Sequence, residues 1–293
     1  MLTNTDDYQT VPPDQLKVID YQNITLDHGT VNISDEAVVQ NIAHSIRLGY
    51  PQVRLDPPKQ DRVVIVGGGP SLKDTEAEIV ALVHEGAKLV TLNGAYRWAL
   101  DRNLRPSATI VMDGRASNAR FLDPPVPHCR YLIASQCHAD VWATVKGRPN
   151  VWIFHAAGPD SAIKAVLDDY YLGQWHGVIG GTTVFTRGLM LLRMLGYLRF
   201  DAFGIDSCWM EGAHHAFAQE ENDADSRYYV RVESPSGDVR VFQCSAWHIK
   251  QAEDFLQTIK INGQHFLLNM HGDGMLAHML RTAGTSVTVT KEA

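Results

Sequence analysis

Apolar residues along this chain fall into short blocks whose spacing switches between two periods. Val63-Val64-Ile65-Val66 is a continuous β-branched run, and it stops at Gly67-Gly68-Gly69-Pro70-Ser71-Leu72. Comparable blocks occupy Lys88 to Asn93, Ala108 to Asp113, Tyr131 to Ser135, Val151 to Phe154 and Phe200 to Asp206. Short apolar runs bounded by turn residues predict strands buried on both faces. Between them the spacing changes to three and four: Val38, Val39, Ile42, Ala43 and Ile46 within Asp35 to Leu48, and Ile79, Val80, Leu82 and Val83 within Leu72 to Glu85. Tyr96 to Asn103 and Thr182 to Leu195 are also predicted helices, the second closing at Gly196. This alternation predicts the α/β class: a Rossmann-like, mostly parallel sheet with flanking helices and right-handed crossovers.

Beyond Asp206 the texture changes. Tyr228 to Val232 and Val239 to Gln243 flank Glu233 to Asp238, which predicts a β-hairpin with Pro and Gly in its turn. A helix over Ala246 to Ile259 and a late strand over Phe266 to Met270 follow, and Ser286 to Ala293 is expected to be a strand or a frayed tail. The chain therefore divides into an N-terminal helical arm over 1–60, a Rossmann-like core over 61–210, and a hairpin-and-helix addition over 211–293 that completes the cleft.

Composition narrows the picture. Thirty-three acidic against 26 basic residues give a net charge of −7, with no long Lys/Arg run, which disfavours a general nucleic-acid binder. No apolar run reaches about 18 residues. Met1 to Tyr8 is polar, without the basic and apolar regions of a secretory signal, so a cytoplasmic protein without a membrane span is expected. Cys129, Cys137, Cys208 and Cys244 form no CxxC pair. His128 and His138 beside the first two do not supply the paired spacing of a structural zinc site, and buried free thiols are the expectation.

The glycine run has the chemistry of a phosphate site. Gly67, Gly68 and Gly69 let backbone approach a ligand, Pro70 suits a first helical turn, and Ser71 is expected to hold a hydroxyl at the mouth. The spacing is neither GxGxxG nor a Walker loop with its Lys, and a turn that only links strand to helix would use the same residues. Polar residues recur where the other strands stop: Asn93, Asp113 with Arg115, and Asp206. They are common turn formers singly. Together they predict one cleft at the carboxyl ends of the strands.

Gly181, Thr182 and Thr183 make a second helix start, either a ligand-facing set of donors or an ordinary Thr cap. His214 and His215 can act as general acid or base. Successive side chains of an extended segment diverge, so one of the two is expected to be catalytic and the other structural. Asp113 and Asp273 are a candidate carboxylate pair for Mg²⁺ bridging phosphates.

With these residues assembled, the chain resembles the MptE-like family, which includes archaeal 6-hydroxymethylpterin diphosphokinases and motility accessory factors thought to glycosylate flagellin. The resemblance covers about residues 60–210, through Gly67 to Leu72, Asn93, Leu104-Arg105-Pro106 to Asp113, and Gly181-Thr182-Thr183 ahead of Gly196-Tyr197. It is also similar in layout to bacterial sialyltransferases that use CMP-activated sugars, which share a glycine-Pro-Ser-Leu turn and a strand end like Gly204-Ile205-Asp206. Two departures stand out. Asp113-Gly114-Arg115 is poorer in carboxylates than the diphosphokinases, and the sialyltransferases have Asn where this chain has Asp113.

The resemblance implies that Gly67, Gly69, Ser71, Asn93 and Thr182 or Thr183 hold a nucleotide while His214 or His215 serves the acceptor or the leaving phosphate, and Arg115 is placed to neutralise leaving-group charge. The expected activity is nucleotide-dependent transfer of a glycosyl group, from a nucleotide-sugar donor to a small-molecule or glycan acceptor. The alternatives are Mg²⁺-dependent diphosphate transfer from ATP to a hydroxymethyl acceptor and nucleotide binding without turnover. An oligomeric state is left open.

Overall fold

The computed structural model describes residues 19–20, 33–156, 161–217, 226–234, 236–282 and 286–291. The main sheet is built from β1 (Arg62–Val66), β2 (Lys88–Leu92), β3 (Ala108–Val111), β4 (Arg130–Ala134), β5 (Val151–Ala156), β6 (Gly177–Val178), β7 (Arg199–Phe203) and β10 (Leu267–Met270). Every pairing in it is parallel, in the order β10-β7-β1-β2-β3-β4-β5-β6. From β1 the chain winds outward to β6, then crosses back to place β7 on the other side of β1. That reversal makes the β1/β7 boundary the topological switch point, where a crevice opens beyond the strand ends.

Helices cover both faces, as the unbroken apolar strands require. Val63 and Ile65 of β1 belong to the larger core, whereas Val64 and Val66 face a smaller one with Leu72 and Ile79 of α2 (Leu72–His84) and Trp98 of α3 (Ala95–Asp101). The larger core takes Phe185, Leu189 and Leu192 of α6 (Val184–Met194). Helix α1 (Asp35–Ile46), in the N-terminal arm, is capped by Ser34 and docks on the ends of β3 and β4. There Asn41 Nδ2 donates to Gly114 O (3.2 Å) and Gln136 O (3.0 Å), and Ser45 Oγ donates to Ser135 O (2.7 Å).

The predicted hairpin is β8 (Tyr228–Glu233) with β9 (Val239–Cys244), and β11 (Ser286–Lys291) joins β8 to complete a three-stranded antiparallel sheet. The expected tail is thus a strand as far as Lys291, with residues 292–293 outside the described residues, as are Pro235 of the hairpin turn and most of the arm before Ile33. Helix α7 (Ala246–Asn262) starts in a capping box between Ser245 and His248. Helices α4 (Ala139–Thr144), α5 (Ser161–Tyr171) and α8 (Met275–Arg281) have no counterpart in the sequence expectation. The four cysteines are free and buried. Among the described residues no helix is long and apolar enough to cross a membrane.

Candidate functional site

The carboxyl ends of β1, β2, β3 and β7 open into one cleft of about 370 Å³. Its floor is the glycine turn after β1, whose N–H groups alternate in direction as a strand's do. Gly67 donates to Phe203 O (2.9 Å), Gly69 to Gly204 O (2.8 Å) and Ser71 to Asp206 Oδ2 (2.9 Å). The β1/β7 ladder therefore continues past the strand ends, its last rung supplied by a carboxylate. Gly68 points the other way, and its N–H donates to none of the described residues. A Cβ on Gly68 would lie 3.1 Å from Phe217 Cζ and 3.4 Å from His215 Nδ1, so this glycine faces the histidine loop across the cleft.

The walls come from the neighbouring strand ends. Asn93 takes a left-handed conformation (φ 46°), donates its N–H to Ile110 O (2.9 Å) and accepts from Met112 N with Oδ1 (3.3 Å). Asp113 grips Arg115, which donates Nη2 to Oδ2 (2.5 Å), Nε to both carboxylate oxygens (3.1 Å each) and its own N–H to Oδ1 (3.0 Å). One guanidinium thus enters the cleft, already facing a carboxylate.

The histidines form a packed group. His214 Nδ1 and His215 Nε2 are 2.9 Å apart, and the His214 ring stacks on His248 of α7 at 4.5 Å, with Trp209 edge-on to both. Ala216 N–H donates to Gly68 O (3.0 Å), tying this loop to the glycine turn. Burial, with His214 and His215 adding to it, pushes the His248 pKa well below its ordinary value. His248 Nδ1 accepts the Ser245 N–H (3.1 Å), so the neutral ring carries its proton on Nε2.

At the second helix start the donors turn inward. Thr182 donates both N–H (2.7 Å) and Oγ1 (2.6 Å) to Asp254 Oδ2 of α7, and Lys250 Nζ holds the other Asp254 oxygen (3.0 Å). Thr183 caps α6 by accepting from Thr186 N (3.1 Å). Gly181 O accepts from Arg187 Nε (2.6 Å).

The fold has a structural precedent. The chain shares the fold of part of a MAf glycosyltransferase. That structure, from Magnetospirillum magneticum, aligns with 81% of this chain at 16% identity and a TM-score of 0.58. The chain spans about 36% of its length. A mammalian sialyltransferase in complex with Gal-beta-1-3GalNAc-ortho-nitrophenol aligns over 90% of this chain and 92% of its own at 12% identity, with a TM-score of 0.38. No protein-family model and no curated protein sequence matches the chain.

Gly67, Gly68, Gly69, Asn93, Asp113, Arg115, Thr182, Thr183, Asp206, His214 and His215 all line the cleft. Several serve differently from expectation. The Ser71 side chain is buried under the loop after β10 rather than at the mouth, because its hydroxyl fills the space beside Gly272. Gly69 is bare for packing: a Cβ there would collide with Asp206 Oδ2 and lie 2.8 Å from Gly204 O. Gly181 packs on Asp254. The two histidines converge instead of diverging, since the chain turns tightly through residues 211–217 rather than running extended.

Asp113 and Asp273 are not brought together as a carboxylate pair on the cleft. Asp273 lies outside the lining and meets Arg240 (3.5 Å) and Arg281 (3.3 Å). No group of three or more His, Cys, Asp or Glu with metal-site geometry occurs among the described residues. Sequence reasoning missed Trp247, His248 and Gln251, which enter the cleft from α7. Their spacing of one helical turn was the available signal, but nothing local says which face of α7 meets the site.

Proposed function

We propose that this chain is the catalytic domain of a glycosyltransferase that takes a sugar from a nucleotide donor and passes it to a hydroxyl acceptor. The observation that carries the reading is the His214–His215 pair held against the Gly68 face of the glycine turn at the β1/β7 switch point. The MAf likeness in fold supports it.

In this reading the acceptor oxygen attacks the anomeric carbon as the bond to the donor phosphate breaks. The acceptor proton passes to the histidine pair. The departing electron pair stays on the phosphate, where Gly68 N–H and Arg115 offset the charge. Arg115 is already balanced by Asp113, so the described residues suit a single-phosphate leaving group better than a diphosphate. A CMP-linked donor is therefore the first choice, with the acceptor a small hydroxylated molecule or a glycan.

The test is a panel of CMP-, UDP- and GDP-linked sugars and ATP, assayed for binding by thermal shift and for release of the nucleotide, with Mg²⁺ or EDTA. Stabilisation by CMP and EDTA-resistant release of CMP are the expected results. Binding without turnover of any donor would leave a nucleotide-binding protein, and Mg²⁺-dependent use of ATP would favour diphosphate transfer.

A further inference from the structure

The loop after β10 lies far from the glycine turn in sequence, yet both are built around one side chain. Asp206 is 2% exposed, and its Oδ2 accepts the Ser71 N–H at 2.9 Å. Three glycines keep space around this pair. A Cβ on Gly69 would collide with Oδ2, one on Gly274 would collide with Oδ1, and one on Gly272 would lie 2.6 Å from Ser71 Oγ. The Asp206 carbonyl also accepts the Leu276 N–H of α8 (3.4 Å). Packing alone does not call for a carboxylate here. An apolar side chain would fill the same volume without the cost of burying a charge.

We propose that Asp206 is a positioning residue that locks the Gly67–Ser71 turn to the Gly272–Gly274 loop and so fixes the direction in which Gly68 presents its N–H to the cleft. The phase of the turn carries the argument. Gly67, Gly69 and Ser71 donate toward β7, and the alternation aims Gly68 at the cleft. Main-chain carbonyls supply the first two rungs. Only the third depends on a side chain, so it is the rung that a substitution can remove while the strands stay paired. Without it the Ser71 N–H loses its acceptor, the turn keeps only its main-chain bonds such as Lys73 N–H to Pro70 O and Asp74 N–H to Ser71 O, and the far loop loses the group that its glycines enclose. The effect on nucleotide binding rests on the function proposed above, whereas the coupling of the two loops does not.

Hydrogen exchange of the full chain, read by mass spectrometry on peptides covering 67–75 and 271–277, tests the coupling in wild type, Asp206→Ala and Asp206→Asn. Exchange in both segments should rise at least about tenfold in Asp206→Ala and stay within about threefold of wild type in Asp206→Asn, which keeps an acceptor oxygen. Unchanged exchange over 67–75 in a folded Asp206→Ala protein, or loosening of one segment alone, would overturn the proposal. Should Asp206→Ala fail to fold, Asp206→Leu fills the space without supplying an acceptor oxygen. Faster exchange over 67–75 in that variant supports the lock, and exchange at the wild-type rate removes it.

Calorimetric titration with CMP separates the two claims. A tenfold or greater loss of CMP affinity in Asp206→Ala, restored in Asp206→Asn, ties the lock to the donor site. Loosened loops in a chain whose wild type binds no CMP would uphold the lock and remove the CMP reading.

Discussion

His214 Nδ1 and His215 Nε2 share a hydrogen bond of 2.9 Å, so the two adjacent rings are joined through a single hydrogen. One ring must donate and the other accept, and His248, neutral and stacked behind His214, closes the back of the pair.

The two histidines should therefore fail together. His214→Ala and His215→Ala are each expected to lower single-turnover transfer by about 10²–10⁴. The double variant should be little worse than either single one, because residues acting as a unit are not additive. Donor affinity should change little in all three. Full activity in one single variant would mean that the other histidine works alone.

Gly68 and Gly69 should respond in opposite ways although they are neighbours. Gly68→Ala meets only the far end of Phe217 and the His215 ring, so the protein should fold and lose donor affinity. Gly69→Ala drives a methyl group into Asp206 and the Gly204 backbone, and should cost stability of about 1–3 kcal/mol, typical of overpacking. Urea melts and CMP titrations of the two variants check this. Equal stability losses would remove the distinction.

Most of the sheet was legible because its longer strands carry their own signal: Val63 to Val66 is apolar on both faces and ends in glycine, whatever its neighbours are, whereas β6, two residues long, carries none. Helix α8 was not, since Met275 to Leu280 are all buried and no polar face marks the period. The strand-end residues could be assigned to one cleft, but not the direction of their bonds. Gly181-Thr182-Thr183 read equally as a ligand-facing donor set or as a Thr cap, and while Thr183 does cap α6, Asp254, seventy-two residues after Thr182, takes both the N–H and the hydroxyl of Thr182. A partner that distant leaves no trace in local spacing.

The Thr182–Asp254 contact gives a prediction of its own. Asp254→Ala removes the acceptor of two hydrogen bonds and the partner of Lys250. The site is partly exposed, so water replaces part of the loss and the cost should be about 1–2 kcal/mol. Because α7 also carries Trp247 and Gln251 into the cleft, transfer kinetics should show a raised KM beside the lower melting temperature. A stability loss with unchanged KM would make the contact purely structural.

His155 is buried in β5 beside the rings of Tyr171 and Trp175, far along the sheet from the β1/β7 boundary. Burial lowers its pKa to about 4. In the unfolded chain it takes up a proton near about 6.5. Between those values the unfolded state binds more protons than the folded one, so stability rises with pH across that window and falls as the solution is acidified. Below about 4 both states hold the proton and this contribution stops changing. Replacing the ring with an apolar side chain, His155→Leu, should remove that part of the slope. Relative to wild type, the variant's melting temperature should therefore improve on going from about pH 7 to about pH 4.5, whatever it loses in packing at neutral pH. Parallel melting curves for the two proteins across this range would show that His155 is not held neutral in the fold.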